Sequence, residues 1–314
     1  MATLAVRMVV EVYVIECPHL SLDKIFASGQ VYRWRKMGDG KYLVTDGHMS
    51  VKVTQMKNKL VFNCSEGEFY NKWFDYFDMK TDHEMLNYKI SCCGDTTKAW
   101  AVRSQGVRVV RQDLFEVLLT SILSETHTQY QTSMMVDKFC KLCGTKHVQS
   151  MAESGKVCWY EFPSPEQVLE KIQVVLYEVI HTSMVGSVSS HCMLADRLQD
   201  ACRLYCEGAF DRDWLAQGSY SDTKEYLINA GLSEWSADCV CLYSLHMMEA
   251  YPQEPAVREV LAKSFGDGDL VEVCDWYFPK LQPYKGLLYQ YVMYNLLNPP
   301  VEFVYTGFGR SSTL

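Results

Sequence analysis

Apolar positions along the chain follow two different periods. From residue 7 to about 65 they alternate or come in short runs. "RMVVEVYVIE" changes side at every residue, as a strand with one buried face does. "GQVYRWRKM", "KYLVTDGH", "MSVKVTQM" and "NKLVFNC" are short, β-branched or aromatic stretches. Turn signals at Gly38-Asp39-Gly40, Asp46-Gly47 and Lys57-Asn58-Lys59 separate them. An antiparallel meander follows. "EGEFYNKWFDYFDMKTDHEMLNYKI" then turns helical, and from about residue 106 the period is 3.6. "RQDLFEVLLTSILSETHTQYQTSMMVDKFCKLCG" places Leu114, Val117, Leu118 and Ser121-Ile122 on one face, with Cys143-Gly144 closing the run. "SPEQVLEKIQVVLYEVIHTS" opens with Ser164 as N-cap and Pro165 at the first helical position. Further helical segments continue to "PYKGLLYQYVMYNLL". The predicted class is α+β: an antiparallel sheet domain over 1–98, a larger helical domain over 99–300 and a tail over 301–314.

Composition narrows the function classes. The chain has 314 residues, 48% hydrophobic and 22% charged, enough for substantial cores. No run of about 18 apolar residues occurs, so no membrane partner is expected. Glu11 and Glu16 interrupt the apolar start, which reads as a strand rather than a leader. Thirteen cysteines, odd in number and partly placed in helices (Cys202 and Cys206, Cys239 and Cys241), fit a reduced cytoplasmic protein. Cys140 and Cys143 have CxxC spacing but no second pair, and the histidines show no HxxxH or HExxH spacing. Cys274 is the only cysteine after 241, too few for an iron–sulfur loop. There is no GxGxxG and no P-loop. Neither a metal nor a cofactor is expected, and the chain is expected to be a monomer.

Net charge is −8. Residues 1–98 carry 13 Lys and Arg against 12 Asp and Glu, and the remainder 17 against 26. Such acidity argues against a broad grip on a polyanion. A DNA surface would call for a basic track, for which Arg103, Arg108 and Arg111 are the candidates, leading to Gly231.

Several segments in order resemble the 8-oxoguanine DNA glycosylases of the helix-hairpin-helix superfamily. These are "ASGQVYRW" (27–34), "DYFDM" (75–79), "GVRVVRQDLFEVLLTSILS" (106–124), "FPSPEQV" (162–168), "AGLSEWSADCVCL" (230–242), "EAYPQEPAV" (249–257) and "PYKGLLYQYVMY" (283–294). The resemblance implies a DNA partner carrying a modified base and a hairpin at Gly231, Leu232 and Ser233 whose backbone approaches a phosphate. Ser233 stands where the family has a second glycine, and its hydroxyl is expected to donate to a phosphate oxygen.

The resemblance also implies a lysine at the start of the helix after the hairpin, attacking the sugar. That position is Trp235, and indole cannot serve. No lysine lies between Lys224 and Lys263. The family's aspartate aligns with Glu254, which keeps a carboxylate beside an oxocarbenium-like state and leaves water as the nucleophile. The other reading of Glu254 is a cap for the helix opened by Pro255. The base pocket implied by the resemblance comprises Gly29, Cys239, Tyr243, Tyr289 and Met293, with Gln290 next to Tyr289. Core packing is the alternative for Tyr289 and Met293. The family's wedge and partner-strand contacts map to Thr126 and Gln131, with His127 or Tyr130 as the candidate intercalating side chain, and its Tyr-Arg pair after a glycine maps to Ser187 and Val188. Gln30 joins the DNA-contacting set. The expected function is a monofunctional DNA glycosylase; the alternative is a catalytically inactive protein on this fold that binds DNA or a protein partner.

Overall fold

In the computed structural model, residues 11–299 are described, apart from 126, 152–154, 182–187, 267, 278 and some side chains. The tail from 301 and positions Thr126 and Ser187 lie outside the described residues.

The meander forms as its turns require. Strands β1 (Tyr13–Glu16), β2 (Trp34–Gly38), β3 (Lys41–Asp46), β4 (Met49–Met56) and β5 (Lys59–Phe62) make one antiparallel sheet in the order β1-β5-β4-β3-β2. Gly40 and Gly47 take positive φ at the two tight turns, and Lys57 does so at the third. One face of the sheet packs on the helix Leu22–Ala27 and on the aromatic segment 69–77, enclosing Phe26, Tyr42, Phe62, Trp73 and Phe77.

A second core takes over at Leu86 and Ile90 and runs to Val292, so the helical body begins earlier than residue 98. Its centre is the helix Leu114–Ser124, buried on every side rather than along one stripe. The long run predicted to be one helix is two. A break at 125–128 separates Leu114–Ser124 from Gln129–Cys143. The cause is local: Thr128 accepts from the Gln131 backbone N–H and the Gln131 side chain accepts from the Thr128 N–H, a capping box that starts a new helix.

The helical domain also contains a hairpin that periodicity misses, β6 (Lys146–Met151) paired antiparallel with β7 (Gly155–Tyr160). Gly144 admits it: a Cβ there would sit 2.1 Å from the Glu161 carbonyl oxygen. The hairpin returns the chain to the sheet, where the Phe162 N–H donates to the Gly47 carbonyl.

Sheet, central helix and hairpin are joined by one buried ion pair. Arg33 Nη1 donates to Glu116 Oε2 at 2.6 Å and its other amine to the Tyr160 carbonyl. The same Glu116 oxygen accepts from the Gly47 N–H at 2.8 Å. Burial pushes the Glu116 carboxyl up, to about 7, against the pull of Arg33.

Candidate functional site

The hairpin of the helical domain is built from the helices Tyr220–Asn229 and Glu234–Tyr243. Gly231 takes φ +97°, the left-handed geometry that ends the first helix. Its N–H donates to the Ile228 carbonyl and that of Leu232 to the Leu227 carbonyl. The two helices are fastened by Asp238, whose buried carboxylate accepts from Tyr220 Oη at 2.6 Å and Lys224 Nζ at 3.0 Å. Lys224 is thereby committed to structure.

Three expectations about DNA contact are corrected here. The N–H groups of Gly231 and Leu232 are spent inside the chain, and the Leu232 side chain is in the core. The Ser233 hydroxyl accepts from the Ser236 N–H as N-cap and gives its proton to Glu125 Oε1 at 2.6 Å, so it has none for a phosphate. Gln30 is buried. Its amide nitrogen donates to Ser28 Oγ and the Arg108 carbonyl and its oxygen accepts from the Val110 N–H, so its polar atoms are spent inside the protein. What the turn keeps for an anion is the first-turn N–H groups of Glu234 and Trp235, which a helix leaves without internal partners.

The basic track is not formed by the three candidate arginines. Arg103 donates to Asn295 and the Asn298 carbonyl. Arg108 is buried on the Phe77 and Asp78 carbonyls and the Cys17 sulfur. Arg111 donates to the Ser244 carbonyl.

The residues singled out for chemistry do come together. A cleft of about 800 Å³ is lined by Gly29, Trp235, Cys239, Tyr243, Glu254, Tyr289 and Met293, together with Gln30, His127 and Ser233. Gly231 and Leu232 lie outside it. Trp235 occupies the first turn of Glu234–Tyr243, and Cys239 follows one turn later on the same helix. Gly29 has φ +85°, and a Cβ on it would lie 2.7 Å from Leu297 Cδ1, so this wall is pressed against the end of the helix Lys285–Leu297. Gln290 holds that approach: its amide donates to the Ser28 carbonyl at 2.7 Å and its oxygen accepts from Tyr243 Oη at 2.9 Å. Gln290 is therefore a buried tie, and Tyr289 is the neighbour that faces the cleft.

Glu254 sits at the N-cap position of Pro255–Phe265 but makes no capping hydrogen bond. The capping alternative is thus not realised. Among the described residues its carboxylate has no ion-pair or hydrogen-bond partner, and it is half-buried in the cleft wall. Its charge bears on the groups around it. Burial first, and then the neighbouring carboxylates, push Cys239 well above its ordinary value. Tyr243 is raised by burial first, then by Cys239 and Tyr32, and Tyr289 by burial first, then by Tyr243 and Cys239, with Glu254 adding less to both. Burial pushes Tyr32 to about 12.

Sequence reasoning missed Glu125 and Tyr32. Glu125 is gripped by both amines of Arg197, at 2.5 and 2.6 Å, and by the hydroxyls of Ser233 and Ser236. Its partners lie 72 to 111 residues away, so no local pattern marks it. It places an internal carboxylate at the N-terminus of the helix bearing Trp235, where the dipole favours an anion. Burial opposes its ionisation, but Arg197 and the two hydroxyls outweigh that and hold it below the ordinary 4.5. A folded-state value below the unfolded one contributes stability above about pH 4.5 that is lost as pH falls through the folded value. The unfolding free energy of Glu125→Gln, measured in urea, is therefore expected to fall less steeply than that of the parent as pH drops below 4.5. Tyr32 had a signal, as the aromatic residue before Arg33 in "ASGQVYRW"; it lines the cleft beside Ser124.

Comparison with known proteins bears on the fold. Residues 12–118 match the family model of the 8-oxoguanine DNA glycosylase N-terminal domain. The chain is 23% identical to the N-glycosylase/DNA lyase of Saccharomyces cerevisiae over 278 residues, covering 78% of this chain and 68% of that protein. Among solved structures, MBOgg1 in complex with a low-affinity DNA ligand superposes with a TM-score of 0.77 at 23% identity, covering 90% of this chain and 94% of that one. The Clostridium acetobutylicum 8-oxoguanine glycosylase/lyase, in complex with double-stranded DNA containing cytosine opposite 8-oxoguanine, gives 0.74 at 24%, covering 89% and 92%. The 3-methyladenine DNA glycosylase of Archaeoglobus fulgidus gives 0.64 at 13%, covering 90% and 98%. Residues 12–118 thus resemble the N-terminal domain of the 8-oxoguanine DNA glycosylases, and the chain, an antiparallel sheet followed by a mostly helical body, shares the fold of these glycosylase structures.

Proposed function

We propose that the protein is a monofunctional DNA glycosylase: it hydrolyses the N-glycosidic bond of a modified base turned out of the DNA into the cleft, using water rather than an amine. The observation that carries this is the pairing of Trp235 and Glu254 in one cleft, the first unable to attack and the second an unengaged carboxylate. The relatives named above supply the reaction class. As the bond to the base lengthens, positive charge develops on the sugar. Glu254 stabilises it and accepts the proton of the attacking water. The aromatic walls stack on the extruded base. Tyr130, exposed in the first turn of Gln129–Cys143, is the side chain that would fill the gap the base leaves.

The contact with the duplex is backbone-led. With Arg103, Arg108 and Arg111 engaged internally, phosphate contact falls to the helix N-terminus after the hairpin, which needs few basic side chains.

Restoring the amine tests the geometry. Trp235→Lys is expected to give adducts with abasic-site DNA that borohydride traps, whereas the parent gives none. A variant that binds the DNA yet traps nothing would show that the sugar does not reach Trp235. Release of no base by the parent from any substrate in a panel of altered bases would instead leave the binding-protein alternative standing.

A further inference from the structure

The cleft carries an uneven charge. Its lining includes two carboxylates, Glu125 and Glu254, and, among the described residues, no lysine or arginine. Arg197, gripping Glu125, balances the first. Among the described residues, nothing within ion-pairing distance balances the second. One net negative charge therefore faces a space whose other walls include Tyr32, Trp235, Tyr243 and Tyr289. The face of an aromatic ring is itself electronegative. A cation in such a space gains from the carboxylate and from the rings, and more so where water is excluded. A neutral base gains only the stacking, and an anion is repelled.

Proton supply points the same way. A neutral purine needs a proton as its glycosidic bond breaks. Burial holds the protons of Cys239, Tyr243 and Tyr289 tightly, and Tyr32 is pushed to about 12. The Tyr243 proton is further engaged by Gln290. The histidine of the lining, His127, has Nδ1 against the Leu123 carbonyl at 2.9 Å. Glu254 must be ionised to receive the proton of water. A purine that already bears a ring positive charge needs no added proton to leave.

We infer that the base the cleft accepts is a cationic, ring-alkylated purine, of the kind that alkylation at N7 or N3 produces, seated among the aromatic walls and against Glu254; this rests on the glycosylase reading above. The reaction balances without an external acid. The C1′–N9 bond breaks, and its electron pair passes to the purine, which departs neutral. Water adds to C1′, and its proton goes to the Glu254 carboxylate and from there to solvent.

The test is release of bases from three matched duplexes, containing N7-methylguanine, 8-oxoguanine or unmodified guanine, followed by chromatography and corrected for spontaneous loss in the same buffer. N7-methylguanine release is expected to be accelerated at least about 30-fold more than 8-oxoguanine release, the scale of a desolvated cation–aromatic contact. Glu254→Gln is expected to remove that acceleration. Equal or faster release of 8-oxoguanine would overturn this inference and leave the glycosylase reading in place. Release of no base from any duplex would overturn both.

Discussion

Glu254→Gln is expected to lower base release on the order of 1,000-fold while leaving the unfolding midpoint unchanged. The rate effect follows from what the carboxylate does. A positioned general base is worth roughly 10²–10⁴-fold, and the amide of glutamine neither accepts the water proton nor offsets charge on the sugar. The stability effect follows from what the carboxylate does not do. It makes no capping bond to the helix Pro255–Phe265 and no ion pair among the described residues, so the fold loses nothing with it. Base release and a denaturant titration on the same preparation check both halves. Undiminished release by a folded variant would remove Glu254 from the mechanism. A shifted midpoint would mean that its carboxylate has a structural partner.

Arg33→Met is expected to destabilise the protein by about 3–5 kcal/mol, the cost of leaving one member of a buried ion pair alone. Methionine keeps much of the volume, so the loss falls on Glu116 and on the carbonyls of Gly47 and Tyr160 that the guanidinium serves. The pH dependence has a definite sign. The Glu116 carboxyl is raised in the folded state, to about 7, by burial. A raised acid favours folding fully below its unfolded value near 4.5, and that contribution is lost as pH rises through the folded value. Without Arg33 only the Gly47 N–H opposes the burial, so the variant's deficit is expected to be larger at pH 8 than at pH 5. Urea unfolding at the two pH values measures it. Arg33→Met combined with Glu116→Gln is expected to recover part of the loss, because no charge then remains buried. A deficit independent of pH would mean that the carbonyl contacts, not the ion pair, carry the junction.

Much of the architecture was legible because it is local. The meander follows from period-2 runs between glycine and asparagine turns, and its strands appear where those turns place them. The start of Pro165–Glu170 follows from Ser164 and Pro165, which act as the cap and first position. The break at 125–128 was also written locally, in the Thr128–Gln131 capping box, but the strong apolar run on either side hid it. The hairpin β6–β7 was not legible. Its strands alternate weakly within a helical series, and their place depends on Gly144 passing tightly under Glu161.

For the site, the sequence by itself determined which side chain stands at the start of the helix Glu234–Tyr243. Trp235 has no basic lone pair in any fold, and a chain with no lysine between 224 and 263 cannot substitute for it locally. The sequence also supplied the residues that line the cleft, through short segments kept in order. Only the tertiary structure decided how the polar atoms are spent. It gave the Ser233 proton to Glu125, the Gln30 amide to the Arg108 backbone, and three arginines to carbonyls and side chains distant in sequence. It left the Glu254 carboxylate unengaged among the described residues. The physical reason is that a buried donor or acceptor must find a partner somewhere, and that partner is set by through-space packing. Segments 72 to 204 residues apart meet at Glu125 and Asn87, and no pattern along the chain records such a meeting.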